Sequence, residues 1–416
     1  MWIKRTPLSY SRRDFLRAGL FAVGVSTGLP ALLQQVSLAQ TIKTLGGHAE
    51  KHPGRILVVV EMTGGNDGLN TVVPFADAAY HNARPKLAVR EREVLKLNDQ
   101  FGLNPACQGL EHLFKDGKLA IVHGCGYPNP NLSHFTAMEW WHTATPHNNE
   151  KYGWLGRYAD AQWPVPIQNG IVNLGARQAR AVTSERQAPL VFGDPKKLGR
   201  AGTAAQQKVF ETFAKIEPTS NSSLGFINTI SHTAADGAAL VRNACAEYRS
   251  LVDYGSNNNL TLDLKKVAAM IAADLPTRIY YLSMGGFDTH ASQAELHKLL
   301  LIYLSDALRG FEEDLEKIGR ADDVALMVFT EFGRRVQENA SQGTDHGTAT
   351  PMFVIGKSVR GGFHGAHPSL TELDDGNLRM TTDFRSVYAT MLRGWMGFDD
   401  PSAVLKSEFP ILPIFG

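Results

Sequence analysis

Carboxylates and imidazoles recur at four distant points of this chain, each beside glycine and each next to an apolar run. They are Gly64-Gly65-Asn66-Asp67-Gly68-Leu69-Asn70, Gly285-Gly286-Phe287-Asp288-Thr289-His290, Thr330-Glu331-Phe332-Gly333-Arg334 and Asp345-His346-Gly347. Oxygen and nitrogen donors of this kind suit Zn²⁺ or Mn²⁺. In Asp288-x-His290 the two side chains share a face of extended backbone, so both can reach one ion. Asp345 and His346 are adjacent and diverge, which suits two neighbouring ions, the arrangement of two-metal phosphoryl chemistry. Glycines allow tight turns and close approach of backbone to a ligand.

Each segment has a plainer reading. The Asp67 segment alone is a turn. Asp288-x-His290 alone caps the helix that follows. Asp345-His346 alone is a turn with a surface histidine, and Glu331 with Arg334 is an internal ion pair. Their joint occurrence beside strand ends favours a site. No G-x-G-x-x-G and no GK[ST] follows the first strand, which disfavours a nucleotide cradle. Ser133, in Asn129-Pro130-Asn131-Leu132-Ser133-His134-Phe135, is either a helix cap or a metal-activated nucleophile at a helix N-terminus. It does not sit in a G-x-S-x-G elbow. His134 is its neighbour, and adjacent side chains diverge, so it is a poor base for that serine. Neither Ser133 nor Cys125 is followed by the x-Pro-x-Arg of a formylglycine sulfatase.

The elements that would position these groups are legible. Continuous apolar runs at 55–62, 119–123, 278–282, 324–329 and 352–355, with a further run at 189–192, read as strands buried on both faces. Helical patterns fall at 204–215, 262–274, 291–318 and 382–395. Alternation of the two predicts an α/β fold with a mostly parallel central sheet, whose ligands bind beyond the carboxyl ends of its strands. Asp345-His346 precedes its strand, so it shares that rim only if the chain crosses over first. Residues 146–261, rich in Gly, Ser and Asn clusters, read as an irregular insertion on the sheet.

At 43% hydrophobic and 20% charged residues, the 416-residue chain excludes disordered and collagen-like classes. Lys+Arg of 42 against Asp+Glu of 41 gives no basic surplus for nucleic acid. Ser11-Arg12-Arg13-Asp14-Phe15-Leu16 resembles a twin-arginine export signal. The apolar stretch at 18–33 is shorter than the ~20 residues a bilayer needs, and Ser37-Leu38-Ala39 offers a cleavage point before Gln40. A retained membrane anchor is the alternative. Cleavage would leave a mature chain, 40–416, of about −3 net charge. The expected partner in export is the twin-arginine translocase, and the destination the periplasm or the extracellular medium, with no stable transmembrane segment. There Cys107 and Cys125 could pair, or remain buried hydrophobes.

Together these segments resemble the bacterial family called DUF1501. The match runs through Val58 to Pro74 and Ser133-His134-Phe135. It continues in Gly286-Phe287-Asp288-Thr289-His290, Glu331-Phe332-Gly333-Arg334, Gly343-Thr344-Asp345-His346-Gly347 and Gly361-Gly362-Phe363-His364-Gly365. That family is in turn similar to the alkaline phosphatase superfamily, sulfatases included. The resemblance implies one three-layer α/β/α sandwich over 40–416. It implies two divalent ions, Zn²⁺ or Mn²⁺ with Mg²⁺ or Ca²⁺ as alternatives. Asp67, Asp288, His290, Asp345, His346 and His364 would be ligands, with His367 in reserve for the last. Glu331 would bind an ion or orient a ligand. Ser133 would be the nucleophile, and Arg334 would clamp the anion with its planar fork. The implied activity is hydrolysis of a small phosphate or sulfate ester. The alternative is a non-catalytic exported metal-binding or surface-assembly protein. The superfamily's usual Asp-x-x-x-His is here the shorter Asp288-x-His290.

Overall fold

The computed structural model describes residues 54–198 and 236–416. The expected export signal and the expected helix at 204–215 lie outside the described residues. The chain divides into two compact units, Glu50–Gly193 with Ala244–Gly416 and Met1–Ala49 with Asp194–Asn243. In the smaller, the described residues form a turn at Pro195–Lys197 capped by Asp194, and helical backbone at 236–243.

The larger unit is built on a nine-stranded sheet. In chain order the strands are β1 (Ile56–Met62), β2 (Leu119–Gly126), β3 (Ile171–Leu174), β4 (Leu190–Phe192), β5 (Ile279–Met284), β6 (Val324–Thr330), β7 (Thr350–Ile355), β8 (Gly362–His364) and β9 (Thr382–Asp383). They lie in the order β8-β2-β7-β6-β1-β5-β3-β4, with β9 also paired to β2. β1 is central and wholly buried, as a run of Ile, Leu and Val must be when both faces are covered. Its Val58 lies opposite Tyr280 on one side and Leu326 on the other.

Seven helices matter here: α1 (Ala78–Ala83), α2 (Gln108–Lys115), α3 (His134–Thr143), α4 (Trp154–Gln162), α5 (Asn259–Ala272), α6 (Gln293–Lys317) and α7 (Phe384–Thr390). Alternate strand residues Leu57, Val59, Val122, Tyr281 and Met327 share a core with Trp141 of α3, Trp154 of α4 and Tyr388 of α7. The other set of alternating residues faces the opposite way, where α6 packs on α2 and on α5, and α2 and α5 reach β2 and β5 respectively. On α6, Leu300, Leu301, Leu304, Leu308, Phe311 and Leu315 are buried at helical spacing. Its approach to α2 needs Gly109, where a Cβ would stand 2.4 Å from the Ser305 carbonyl oxygen.

The fold is α/β with a mostly parallel sheet, as the alternation predicted. Only β7, of these nine strands, runs against its neighbours, β2 and β6. That reversal supplies the required crossover, because the start of an antiparallel strand lies at the carboxyl rim of the others. The structure also differs from expectation at several points. Ile171–Leu174 joins the main sheet beside Leu190–Phe192, the further run read as a strand, so part of the region read as an insertion belongs to the central layer. The helix expected at 382–395 opens as β9 and closes as a π-turn, Met391–Trp395. Of the two readings of Cys107 and Cys125, the structure has the buried free thiols. Among the described residues no helix is long and apolar enough to cross a membrane.

Candidate metal centre

Three loops meet at the rim beyond β1, β5 and β6, and two glycines let them meet. Gly64 and Gly65 follow β1 with φ of +116° and +70°. A Cβ on Gly64 would stand 2.5 Å from the Asp288 backbone nitrogen, and one on Gly65 would stand 2.4 Å from the Phe332 ring. The glycines therefore admit the Asp288 loop and the Glu331-Phe332 loop to the end of the central strand.

In the space above them, donor atoms of His134, Asp288 and His346 all lie within 4.8 Å of one another. Asp288 Oδ1 is 3.4 Å from His134 Nε2, 3.2 Å from His346 Nε2 and 3.0 Å from His290 Nε2. His290 Nε2 and His346 Nε2 are 2.9 Å apart. The far side of each ring decides its tautomer. His134 Nδ1 meets Glu331 Oε1 at 2.7 Å, His346 Nδ1 meets the Leu132 carbonyl at 2.8 Å, and His290 Nδ1 meets Asp345 Oδ1 at 3.3 Å. Each partner is an oxygen that can only accept, so each Nδ1 carries the proton. Unprotonated, the three Nε2 atoms then converge on Asp288 Oδ1, and those of His290 and His346 face each other. Convergent acceptors repel unless a cation lies among them, and imidazole nitrogen with carboxylate oxygen is a donor set for Zn²⁺ or Mn²⁺. Oxygens that orient ligand histidines from behind are the usual support of such a centre.

The electrostatics agree. Burial would raise the Asp288 carboxyl, but the hydrogen bond and charge of Arg334 outweigh it and help bring its pKa to about 2. Glu331 is buried, which opposes ionisation. Hydrogen bonds from His134, the Gly64 N–H and Thr330 nevertheless hold it below the usual carboxylate range. Its bond to His134 raises that histidine's pKa. Burial lowers His346. The Asn339 amide, donating at 3.0 Å, lowers Asp345.

Of the residues singled out in the sequence, Asp288, His290 and His346 come together, with Asp345 and Glu331 behind them as orienting groups. Asp67 lies apart from this group. It is fully buried, accepts from Arg84 Nη1 at 2.6 Å and from the Gln293 amide, and caps the turn Gly68–Asn70. Its oxygens are thus engaged in an internal ion pair. Arg334 also departs from expectation. Its Nε and Nη groups donate to the carbonyls of Gly64, Gly65, Phe287 and Thr344 and to Asp288, so the fork ties the rim loops together and presents no free edge to an anion. His364 lies on edge strand β8, with Nε2 on the Arg360 carbonyl at 3.0 Å, outside the donor group. His367 packs on His123 and Phe101. Ser133 is the exposed N-cap of α3, the position the plainer reading gave it, but makes no side-chain capping bond. His134, passed over in the sequence as a poor base, is the ring that joins α3 to the centre.

An α/β protein whose rim gathers three imidazoles around one carboxylate is the class that the fold and site define. The chain belongs to the DUF1501 family, described as proteins of unknown function, whose model matches residues 55–407. No curated protein is significantly similar in sequence. Among solved structures, the chain is similar to a protein in the alkaline phosphatase superfamily from Vibrio parahaemolyticus, at 11% identity and TM-score 0.38, covering 94% of this chain and 81% of that one. It is also similar to the PsFucS1 sulfatase from Pseudoalteromonas sp., at 10% identity and TM-score 0.38, covering 92% and 77%. A third is the lipoteichoic acid synthase LtaP from Listeria monocytogenes, at 10% identity and TM-score 0.36, covering 79% and 72%.

Proposed function

We propose that the chain is an exported, metal-dependent hydrolase of phosphate or sulfate esters, with Ser133 as nucleophile. The observation that carries the reading is the convergence of three Nε2 atoms on Asp288 Oδ1. His134, Asp288, His290 and His346 would hold one divalent transition ion, Zn²⁺ or Mn²⁺. The two-ion expectation narrows to one, because Asp67 is engaged with Arg84 and His364 with a carbonyl. Bound there, the ion supplies Lewis acidity toward an ester oxygen and a serine hydroxyl.

The residues of the chain do the rest. Ser133 immediately precedes His134, and its hydroxyl is free of a capping bond. Its Oγ would form the new bond to phosphorus or sulfur as the ester's bond to the leaving oxygen breaks, the hydroxyl proton passing through solvent to that oxygen, which departs as the alcohol; water would then hydrolyse the seryl ester. Backbone N–H groups at the start of α3 favour the developing negative charge. Glu331, Asp345 and the Leu132 carbonyl keep the three rings aimed inward. The twin-arginine-like signal supports action outside the cytosol.

The test is turnover of an aryl phosphate and an aryl sulfate by protein loaded with Zn²⁺ or Mn²⁺. Ser133→Ala should lose at least about a thousandfold in kcat/KM, by analogy with removal of an activated nucleophile, while keeping its metal. Unchanged turnover removes the serine from the mechanism. A second reading, a non-catalytic exported metal-binding module, is favoured by one observation: the guanidinium of Arg334 is engaged within the fold. One equivalent of bound metal with no turnover of either ester would select it.

A further inference from the structure

Much of the donor group comes from two segments far apart in the chain, Asp288–His290 after β5 and Asp345–His346 before β7. Asp288, His290 and Asp345 have side chains 46%, 44% and 55% exposed, so packing from the solvent side does little to fix them. The constraint must come from beneath. Arg334 supplies part of it, through Asp288 and the Thr344 carbonyl. A second bridge is Gln293, the first residue of α6 and fully buried. Its Oε1 accepts from the Thr344 hydroxyl at 2.7 Å and from the Thr289 hydroxyl at 3.1 Å, both buried. Thr289 lies between Asp288 and His290, and Thr344 immediately precedes Asp345. The Gln293 amide nitrogen donates to Asp67 Oδ2. A carboxylate only accepts, so Asp67 fixes which end of the amide faces the threonines. Burial opposes ionisation of Asp67, but Arg84, 2.6 Å away, helps hold its pKa below the usual carboxylate range. Arg84 in turn donates to the carbonyls of Arg335 and Val336, each at 2.9 Å.

We infer that Gln293 is a positioning residue of the centre: it sets the spacing between the Asp288–His290 and Asp345–His346 segments, and so between the donor atoms they carry, with the Asp67–Arg84 pair as its anchor. The inference rests on the metal-centre reading for what that spacing serves, and it goes beyond that reading by giving a role to a buried layer that touches no donor atom. Apart from the side chains, one backbone bond joins the two threonines, Thr344 N–H to the Thr289 carbonyl, and at 3.3 Å it is long. The Gln293 amide adds two bonds at the same place and ties them to a group that the fold holds still. A ring that is aimed from behind still misses its ion if the segment bearing it shifts, because ligand distances tolerate only a few tenths of an ångström. Loss of the amide takes the acceptor from two buried hydroxyls and frees both segments to move.

The experiment compares the full chain with Gln293→Leu, Thr344→Val and the double variant. Gln293→Leu removes all three side-chain bonds; Thr344→Val removes one, leaves Asp67 untouched, and decides by itself if Gln293→Leu does not fold. Zinc affinity, from competition with a coloured chelator, should fall about tenfold in Gln293→Leu, the low end for groups that orient ligands. It should fall about threefold in Thr344→Val, as for one net hydrogen bond. The double variant should lose no more than Gln293→Leu, since the shared bond is already gone. The visible absorption of bound Co²⁺ should change in each variant, a signature of ligand geometry that loss of stability alone does not move. Unchanged affinity, an unchanged Co²⁺ spectrum, or losses that multiply in the double variant overturn the inference. Wild-type protein that takes up neither Zn²⁺ nor Co²⁺ sinks the metal-centre reading instead. Hydrogen exchange of the metal-free proteins then decides on Gln293: faster exchange at 287–291 and 343–347, with the middle of α6 unchanged, upholds its hold on the two segments, and equal exchange refutes it.

Discussion

Two groups of histidines occupy neighbouring parts of this sheet, and they are built on opposite principles. In the first, the Nδ1 atoms of His134, His290 and His346 donate to Glu331, Asp345 and the Leu132 carbonyl, and the Nε2 atoms face Asp288. In the second, His123 on β2 stacks on Phe363 at 5.0 Å and lies beside Phe101 and His367. No carboxylate contributes to its pKa, which burial and His367 push down to about 3. An imidazole with an oxygen behind it is a stronger and better-aimed ligand. One packed among aromatic rings is a neutral core residue. The number of histidines does not separate the two groups; what stands on the far side of each ring does.

The largest expected difference is in metal content. His346→Ala should weaken Zn²⁺ binding by more than about a hundredfold, since even partners that only orient a ligand are worth about 10- to 100-fold. His123→Phe should keep the wild-type stoichiometry. Elemental analysis after dialysis and a competition titration with a coloured chelator read both. A loss in His123→Phe as deep as that in His346→Ala would erase the distinction.

How much of this contrast the sequence discloses can be judged residue by residue. Asp288 and His290, two apart beside a strand end, were identifiable from spacing alone, and His346 from its place in Asp345-His346-Gly347. The long apolar runs at β1 and β6 gave their strands almost to the residue. β3 was missed because Ile171-Val172-Asn173-Leu174 is short and carries a polar residue at its third position. His134 reads in the sequence only as a poor base for the adjacent Ser133, since neighbouring side chains diverge. The available signal was Glu331, a carboxylate at a buried strand end that needs a donor. Asp67 was misjudged for a related reason. Its partner Arg84 lies 17 residues away, after α1, and nothing in the spacing announces that pair. Arg334 could not be read either, because the carbonyls that take up its donors are brought together only by the folded turns.

A smaller effect sharpens the role given to the oxygens behind the rings. Glu331→Gln keeps the shape of the side chain but removes its charge and leaves one acceptor oxygen where the carboxylate has two. The carboxylate now serves His134, the Gly64 N–H and Thr330 together. Zinc affinity should fall about tenfold, the low end for loss of an orienting carboxylate, with the stoichiometry at saturation unchanged. An affinity equal to wild type would mean that Glu331 serves the Gly64 turn alone.

The smallest effect concerns the second histidine group and has a definite sign. His123 has its pKa lowered from 6.5 to about 3, and it is 4% exposed. In the unfolded chain it takes up a proton below about pH 6.5, whereas in the folded protein it stays neutral until about pH 3. The unfolded state therefore binds more protons across that window, and stability falls with decreasing pH. The contribution is fully present above pH 6.5 and is lost progressively toward pH 3. At pH 5 the loss amounts to about 2 kcal/mol, from 1.36 kcal/mol per pH unit of differential protonation. His123→Phe removes the proton site and keeps a flat ring against Phe363 and Phe101. Its stability should match wild type within about 1 kcal/mol at pH 7.5, as for a swap that conserves ring shape. At pH 5 it should exceed wild type by about 2 kcal/mol. Urea unfolding at the two pH values measures this directly. If the variant and the wild type lose stability in parallel from pH 7.5 to 5, His123 is not held neutral, and the aromatic enclosure does not distinguish this group from the metal-facing one.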